Sequence, residues 1–527
     1  MIKKFIDRLL GKGIPENRAH ASAPVPVVPL GSRVEVAQAE HRIDASLLDP
    51  NAVRVVKTLQ DAGHEAYIVG GAVRDLLVGL RPKDWDVATD ATPEQVKSHF
   101  RRAFIIGRRF RLVHVVFGRG REHETIEVST FRAYLDPSAA DQEVAPGKAV
   151  RGPSQDKTHV VDASGRVLRD NVWGPQIEDA ARRDYTINAM YYDPLTHTVV
   201  DYHGGIGDAR ARVLRMIGDP QTRYREDPVR IVRAVRFAAK LGFEIEPASR
   251  KPIREMAALL ANVPQSRLFD EMVKLLQTGH ALASLEELKK QGLDKGVFPV
   301  LDAVLAPMQP NPQHQEFVRL ALQDTDRRVE EGRAVVPSFM LACMLWSEVQ
   351  VRWKSLLAAG EPPYPALQQA VDAVFDARIG DISGRGKLAA DMREVWLMQP
   401  RFDRRTASSA ASLVAQVRFR AGYDFLRLRA DVGEVAPELA DWWEDFHLGD
   451  EEEREALLDD ARASAPARVR RAPSLSEAGL PATVDLNDDV DDAAMDPASA
   501  ASADAPPRRK RRRRRRPAGE GGGAPPA

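Results

Sequence analysis

Residues 66–88 read AYIVGGAVRDLLVGLRPKDWDVA, and the reading of this stretch decides the fold. An apolar run from Ala66 to Val69 meets the glycine pair Gly70-Gly71. Val73, Leu76, Leu77 and Leu80 then recur at helical spacing. Lys83-Asp84-Trp85-Asp86 leads into Val87. The pattern predicts strand, glycine turn, helix, strand. On the second strand Asp84 and Asp86 stand at i and i+2 and point to one face. Paired carboxylates supply the hard oxygen ligands that Mg²⁺ takes. The glycine pair lets backbone N–H groups approach a phosphate at the start of the helix. Either half alone is weak. Glycine pairs commonly make ordinary turns, and aspartates two apart commonly edge a solvated strand. Together, with Arg74-Asp75 between them, they point to nucleotidyl transfer.

Working outward, Asn51 to Gly63 reads as a helix before this stretch, and Thr92-Pro93-Glu94 as a helix start after it, with Thr92 as N-cap. Leu112 to Phe117 reads as a mostly buried strand. Arg108, Arg109 and Arg111 precede it and suit phosphate or RNA backbone. Glu124 to Phe131 alternates, with Ile126 and Val128 on one face and Glu127 and Ser129 on the other, so Glu127 is a candidate third carboxylate. Ile177 to Met190 reads as one helix. On it Arg182 and Arg183 are fit to hold a triphosphate, and Asp184 and Asn188, one turn apart, face the same nucleotide. After the Gly204-Gly205 turn, a helix runs from Pro228 to Leu241 and ends at Gly242. Arg230, Arg233 and Arg236 form a basic stripe along it.

These residues resemble the DNA polymerase β-like nucleotidyltransferase superfamily. Within it they resemble the group of bacterial poly(A) polymerases and bacterial-type tRNA CCA-adding enzymes. The likeness covers residues 41–445 and lapses over Tyr134 to Val161, which is longer and richer in Ala and Pro than the family loop. Ile105 to Val115, IIGRRFRLVHV, matches the stretch that tells bacterial poly(A) polymerases from CCA-adding enzymes. Trp396 to Pro400 and Val417 to Ala430 match the carboxy-terminal region of the former. The resemblance implies an α/β nucleotidyltransferase head, with a mixed sheet and helices on one side, followed by an all-α neck and body. It implies template-independent addition of AMP from ATP to RNA 3′ ends, as in mRNA polyadenylation that promotes RNA turnover, with release of pyrophosphate. The alternatives are CCA addition to tRNA and, in another class, a catalytically inactive RNA-binding protein, which the intact carboxylates disfavour.

The same resemblance assigns roles. Asp84, Asp86 and Glu127 would hold two Mg²⁺ ions. Asp184, in the pattern RRDxxxN, would be a further catalytic carboxylate. Gly70, Gly71, Arg74, Arg182, Arg183 and Asn188 would bind the nucleotide. Asp227 and Arg230, in the pattern EDxxR, match the pair that bonds the incoming base in CCA-adding relatives. Arg108, Arg109, Arg111, Arg233 and Arg236 would contact RNA. Implied partners are RNA 3′ ends, ATP and RNA-turnover proteins.

Composition sets the outer limits. The chain has 527 residues, 43% hydrophobic and 29% charged, with formal net charge +0, so any nucleic-acid surface is local. A single cysteine, Cys343, excludes a disulfide framework and a cysteine-rich zinc site, which fits a reducing, cytoplasmic setting. No apolar run is long enough to span a bilayer. The opening MIKKFIDRLLGKG is basic and amphipathic, lacks the features of a secretory signal, and is compatible with peripheral membrane contact. The expected divisions are a disordered leader 1–44, a catalytic domain 45–212, a helical neck 213–280, a helical RNA-binding body 281–450 and a disordered tail 451–527. The tail contains RRKRRRRRR, Arg508 to Arg516. In the body, Arg418, Arg420, Arg427 and Arg429 are placed to track an RNA backbone, while Phe419, Tyr423 and Phe425 read as core.

Overall fold

The chain turns sharply after its second strand because Gly70 adopts φ 73° and ψ −125°, a conformation that side chains with a Cβ rarely take. The computed structural model describes residues 29–107, 111–118, 123–134, 160–161, 167–169, 172–307, 311–379 and 386–463. All of these lie in the first of two compact units, Met1–Ala465. The head holds an eight-stranded sheet. Its strands are β1 (Val34–Ala37), β2 (Ala66–Val69), β3 (Asp86–Thr89), β4 (Ala103–Ile106), β5 (Leu112–Phe117), β6 (Glu124–Thr130), β7 (Met190–Asp193) and β8 (Thr198–Asp201). Their order is β1-β8-β7-β2-β3-β6-β5-β4. Every neighbouring pair is antiparallel except β3 and β6, which run parallel.

Helices α1 (Pro50–Asp61), α2 (Gly71–Leu77) and α3 (Pro93–His99) cover one face of the sheet. Each starts where the local chemistry directs. Asp49 accepts from two backbone N–H groups ahead of Pro50, and Thr92 and Gln95 form a reciprocal capping box. Val55, Val56, Leu59, Val73 and Val96 pack onto Ile68, Val87, Ile126 and Val128. On the opposite face, Val69, Ala88, Phe131 and Tyr191 pack with Ala180 of α4 (Gln176–Arg182). Beyond the sheet come α5 (Gly205–Ala211), α6 (Pro220–Glu226) and α7 (Val229–Leu241), then mostly helices; the expected all-α neck also carries two short strands, Val213–Leu214 and Glu244–Ile245, paired in parallel. Among the described residues no helix is long and apolar enough to cross a membrane.

Several expectations are corrected. β1 lies within the expected leader and pairs with β8; only Val36 of its four residues is buried, so the sequence signal is faint. The helix Glu451–Ala463 enters the expected tail. Leu80 falls beyond α2 and is 55% exposed, because Gly79 at φ 76° turns the chain away. β5 is not mostly buried: only Val113 and Val115 are, and alternation governs it as it does β6. The helix expected over 177–190 ends at Arg182. Arg183 is extended, with ψ 165°, and a short 3-10 turn follows over Thr186–Asn188. The tail residues 464–527, with the arginine run, lie outside the described residues.

Candidate active site

The parallel pairing of β3 with β6 sets Asp86 in register with Glu127. Asp84 sits in the bend just before β3 rather than on the strand. Trp85, 6% exposed, turns inward between exposed Asp84 and Asp86, so the alternation that puts both carboxylates on one face survives. Water reaches Asp86, yet protein surrounds it on most sides, as at the floor of an open cleft. Burial pushes its carboxyl up to about 6. The charges of Glu127 and Asp84 push the same way, and the Arg183 guanidinium opposes them. His114 of β5 flanks Glu127 on its other side, with Nε2 3.5 Å from Oε2.

Around this floor stands a polar network. Gly70 lies beside Arg183: a Cβ on Gly70 would come 3.5 Å from Arg183 Nη1. Arg183 donates from Nε and Nη2 to Asp179 Oδ2 at 3.2 and 3.0 Å, and from Nη1 to the Asn188 carbonyl at 3.3 Å. The Tyr191 hydroxyl donates to the same Asp179 oxygen at 2.8 Å. Burial works against the Arg183 charge, but Tyr191 and Asp179 outweigh it and hold the group above its ordinary value. Arg74 is buried. It donates from Nη1 to Asn188 Oδ1 at 2.8 Å, and from Nε and Nη2 to Asp75 Oδ1 at 2.9 and 2.7 Å. Asn188 in turn donates to Asp184 Oδ1 at 3.2 Å. Asp184 and Asn188, expected one helical turn apart on a helix, are instead joined directly across a 3-10 turn. Asp184 accepts from its neighbour's N–H, Tyr185, at 2.8 Å, which competes with continued helix.

The neck closes the network. Arg233 of α7 donates from Nε to Asp184 Oδ2 at 2.7 Å. Burial would raise the Asp184 carboxyl, but the Arg233 charge, with hydrogen bonds from Asn188, Arg233 and the Tyr185 N–H, brings it down to about 2. Arg236 lies against Glu271, Nε to Oε2 3.5 Å, and over the Phe237 ring. Arg233 and Arg236 thus face carboxylates at a helix junction, not an open basic stripe. Arg111, also expected at RNA, is ion-paired with Glu94. Arg108 and Arg109 lie outside the described residues. Asp227 and Arg230 do not pair with each other through their side chains: Asp227 Oδ2 accepts from Arg267 at 2.6 Å, and Arg230 Nη1 donates to Glu226 Oε2 at 2.9 Å. Positive charge is concentrated here. Burial and the like charges of Arg132, Arg183, Arg230 and Arg223 push Arg182 well below its ordinary value. Burial and Arg230 bring Arg223 down to about 10, against the pull of Glu226.

Known proteins match this chain over most of its length. The family model described as the poly A polymerase head domain matches residues 66–215. That described as the probable RNA and SrmB-binding site of polymerase A matches 242–305, and that described as the arginine-rich C-terminus of polymerase A matches 359–474. Poly(A) polymerase I of Salmonella typhi is 38% identical over 440 residues, 83% of this chain and 90% of that protein. The chain belongs to the poly(A) polymerase family. Poly(A) polymerase I of Haemophilus influenzae is 40% identical over 419 residues, 79% of this chain and 88% of that one. By contrast, the CCA-adding enzyme of Bacillus licheniformis is 36% identical over 256 residues, only 48% of this chain and 56% of its own length. As a poly(A) polymerase family member the chain is a polynucleotide adenylyltransferase acting on RNA.

In the family's carboxy-terminal segment, the four arginines expected to track RNA each meet a carboxylate. Arg418 pairs with Asp391 at 2.6 Å, Arg420 with Asp424 at 2.9 Å, Arg427 with Asp441 and Glu444 at 2.7 and 2.8 Å, and Arg429 with Glu434 at 2.6 Å. Phe419, Tyr423 and Phe425 are buried, as expected of core. Sequence reading passed over Asp179, Tyr191 and Arg223. Asp179 to Arg183 and Arg223 to Glu226 are local spacings of four and three residues that could have marked the first and last, whereas Tyr191 reaches Asp179 from the neighbouring strand β7.

Proposed function

We propose that Asp84, Asp86 and Glu127 are the metal-binding carboxylates of this adenylyltransferase, that the Gly70-Gly71 turn with Arg182 and Arg183 takes the triphosphate of ATP, and that Asp227 and Arg230 read the adenine. The observation that carries this reading is the register of Asp86 with Glu127, the Asp86 carboxyl being raised to about 6 first by burial and then by its carboxylate neighbours. An all-oxygen donor set whose members repel one another suits a divalent cation. Among the described residues no three such side chains already close on one point. Mg²⁺ commonly uses one or two carboxylates together with substrate phosphates and water, so a closed protein cage is not its usual site. When bound, such ions lower the pKa of the RNA 3′-hydroxyl and neutralise charge on the triphosphate.

The chain's own residues do the rest. The RNA 3′-hydroxyl gives up its proton to solvent, its oxygen bonds to the α-phosphorus of ATP as the bond to pyrophosphate breaks, and the arginines stabilise the departing charge. Arg183, fixed by Asp179 and Tyr191, holds one geometry. The Asp75–Arg74–Asn188–Asp184–Arg233 chain braces the glycine turn against α7. This gives Asp184 and Arg74 bracing roles behind the nucleotide. RNA-turnover proteins as partners would fall to the neck, around residues 242–305.

The test is incorporation on one unstructured RNA with each of the four nucleoside triphosphates separately. ATP alone should give long products. Efficient use of CTP, with addition to tRNA stopping after three nucleotides, would replace this reading with CCA addition. Arg230→Ala should narrow the preference for ATP over CTP by about 5- to 150-fold, as expected for one lost polar contact, while RNA affinity stays unchanged. Equal loss for both nucleotides with weaker RNA binding would remove Arg230 from the base pocket.

A further inference from the structure

Arg223 is 1% exposed, among the most deeply buried charged side chains in the molecule. It sits in α6, and its guanidinium faces two ways. Nη2 donates to the Arg182 carbonyl at 2.7 Å and the Arg183 carbonyl at 2.6 Å, at the end of α4, where a cation also meets the negative end of the helix dipole. Nη1 donates to Glu226 Oε2 at 2.8 Å. That same oxygen accepts from Arg230 Nη1 at 2.9 Å, and Arg230 Nη1 also donates to the Arg223 carbonyl at 2.8 Å. One planar side chain therefore grips the backbone of Arg182 and Arg183 on one side and the Glu226–Arg230 pair on the other. Arg223 Nε and Glu226 Oε1 are buried with no hydrogen-bond partner among the described residues.

We propose that Arg223 is a positioning residue that couples recognition of the base to placement of the triphosphate. The inference rests on the reading above, in which Arg182 and Arg183 meet the phosphates and Arg230 meets the base. Seating of the correct base holds Arg230 and Glu226 in place. Glu226 orients the Arg223 fork, and the fork sets the carbonyls, hence the direction, of the two arginines at the phosphates. A base that leaves Arg230 unengaged lets the fork rock and the α-phosphorus drift from in-line geometry. A shift of about 1 Å is enough to cost roughly 100-fold in rate. Lysine cannot do this, because an ammonium is a point donor without the planar fork that spans both sides.

The test is steady-state incorporation of ATP and of CTP by the full chain and by Arg223→Lys. The expected result is a fall in kcat for ATP of on the order of 10-fold or more, a smaller fall for CTP, and an unchanged KM for RNA. The ratio of kcat/KM for ATP to that for CTP should narrow. Added to Arg230→Ala, Arg223→Lys should narrow the ratio no further, since both act through one path. Equal losses for both nucleotides overturn the proposal, as a purely structural role would give them. So does further narrowing in the double variant. If Arg230→Ala alone leaves the ratio untouched, the base-reading assignment fails and takes the coupling with it. If Arg230→Ala narrows the ratio and Arg223→Lys does not, only the coupling fails. Should Arg223→Lys not fold, Glu226→Gln removes the charge the two arginines share while keeping its shape. Unequal loss in that variant supports the coupling, and equal loss overturns it.

Discussion

Arginines gather in two regions of this molecule, and the two are built on different terms. At the head–neck junction, Arg132, Arg182, Arg183, Arg223 and Arg230 crowd one another closely enough that burial and mutual repulsion push Arg182 well below its ordinary value. In the body, Arg418, Arg420, Arg427 and Arg429 each face a carboxylate. A cation matched by an anion of the same chain is already satisfied. The head arginines have partners as well, but there Arg223 and Arg230 share the single carboxylate of Glu226, whereas the four body arginines share none among themselves. The difference lies in the partners, so counting basic residues along the sequence does not reveal it.

The comparison is broken most severely at the carboxylate floor. Asp86→Ala should reduce AMP incorporation by on the order of 1,000-fold or more without loss of fold, because it removes one member of a mutually repelling set. Its thermal midpoint should match or exceed that of the parent. Near-normal kcat with Mg²⁺ would sink the metal assignment.

Asp184 belongs to the arginine-rich side and is matched there, so its loss should appear first as stability. Asp184→Asn takes from Arg233 the carboxylate it is hydrogen-bonded to. The expected cost is about 3 kcal/mol at neutral pH, read as a lower midpoint in chemical denaturation. The pH dependence has a definite sign. The folded carboxyl, at about 2, lies below its ordinary 3.8, so its stabilisation is complete above about pH 4 and is lost as pH falls toward 2. The gap between parent and variant should shrink across that window. A gap that stays constant from pH 5 to 3 would mean that the ion pair is not its source.

The smallest effect is expected in the body. Arg427 is 28% exposed, and its partners Asp441 and Glu444 are 60% and 45% exposed. Arg427→Ala should cost no more than about 1 kcal/mol and change RNA affinity less than about twofold, with little change in its salt dependence. A steep loss of RNA binding would show that these pairs open onto RNA, and the contrast between the two regions would disappear.

Much of the head was readable in residue order. The glycine turn, the Thr92 cap, the alternation of β6 and the end of α7 at Gly242 are local matters of backbone freedom, capping and period, and each formed where its residues directed. Asp84 and Asp86 share a face for the same reason. The misjudged parts turned on contacts with distant residues. α4 stops at Arg182 because the Asp184 side chain bonds the next backbone N–H and then meets Arg233, 49 positions away. The basic stripe on α7 is real as a pattern, but what faces it comes from Asp184 and Glu271.

The sequence by itself determined the strand–glycine–helix unit, the paired carboxylates, the helical run behind them and the family these residues resemble. All of that is set by neighbours within a turn or a strand. Only the tertiary structure decided which carboxylate joins Asp86, since that depends on a parallel register between strands 41 positions apart. It alone decided which arginines are matched and which are crowded. It also joined Arg223, a residue of a short helix, to the Arg182 and Arg183 carbonyls on one side and to Glu226 on the other. Electrostatic partnership depends on distance through space, and a sequence records only distance along the chain.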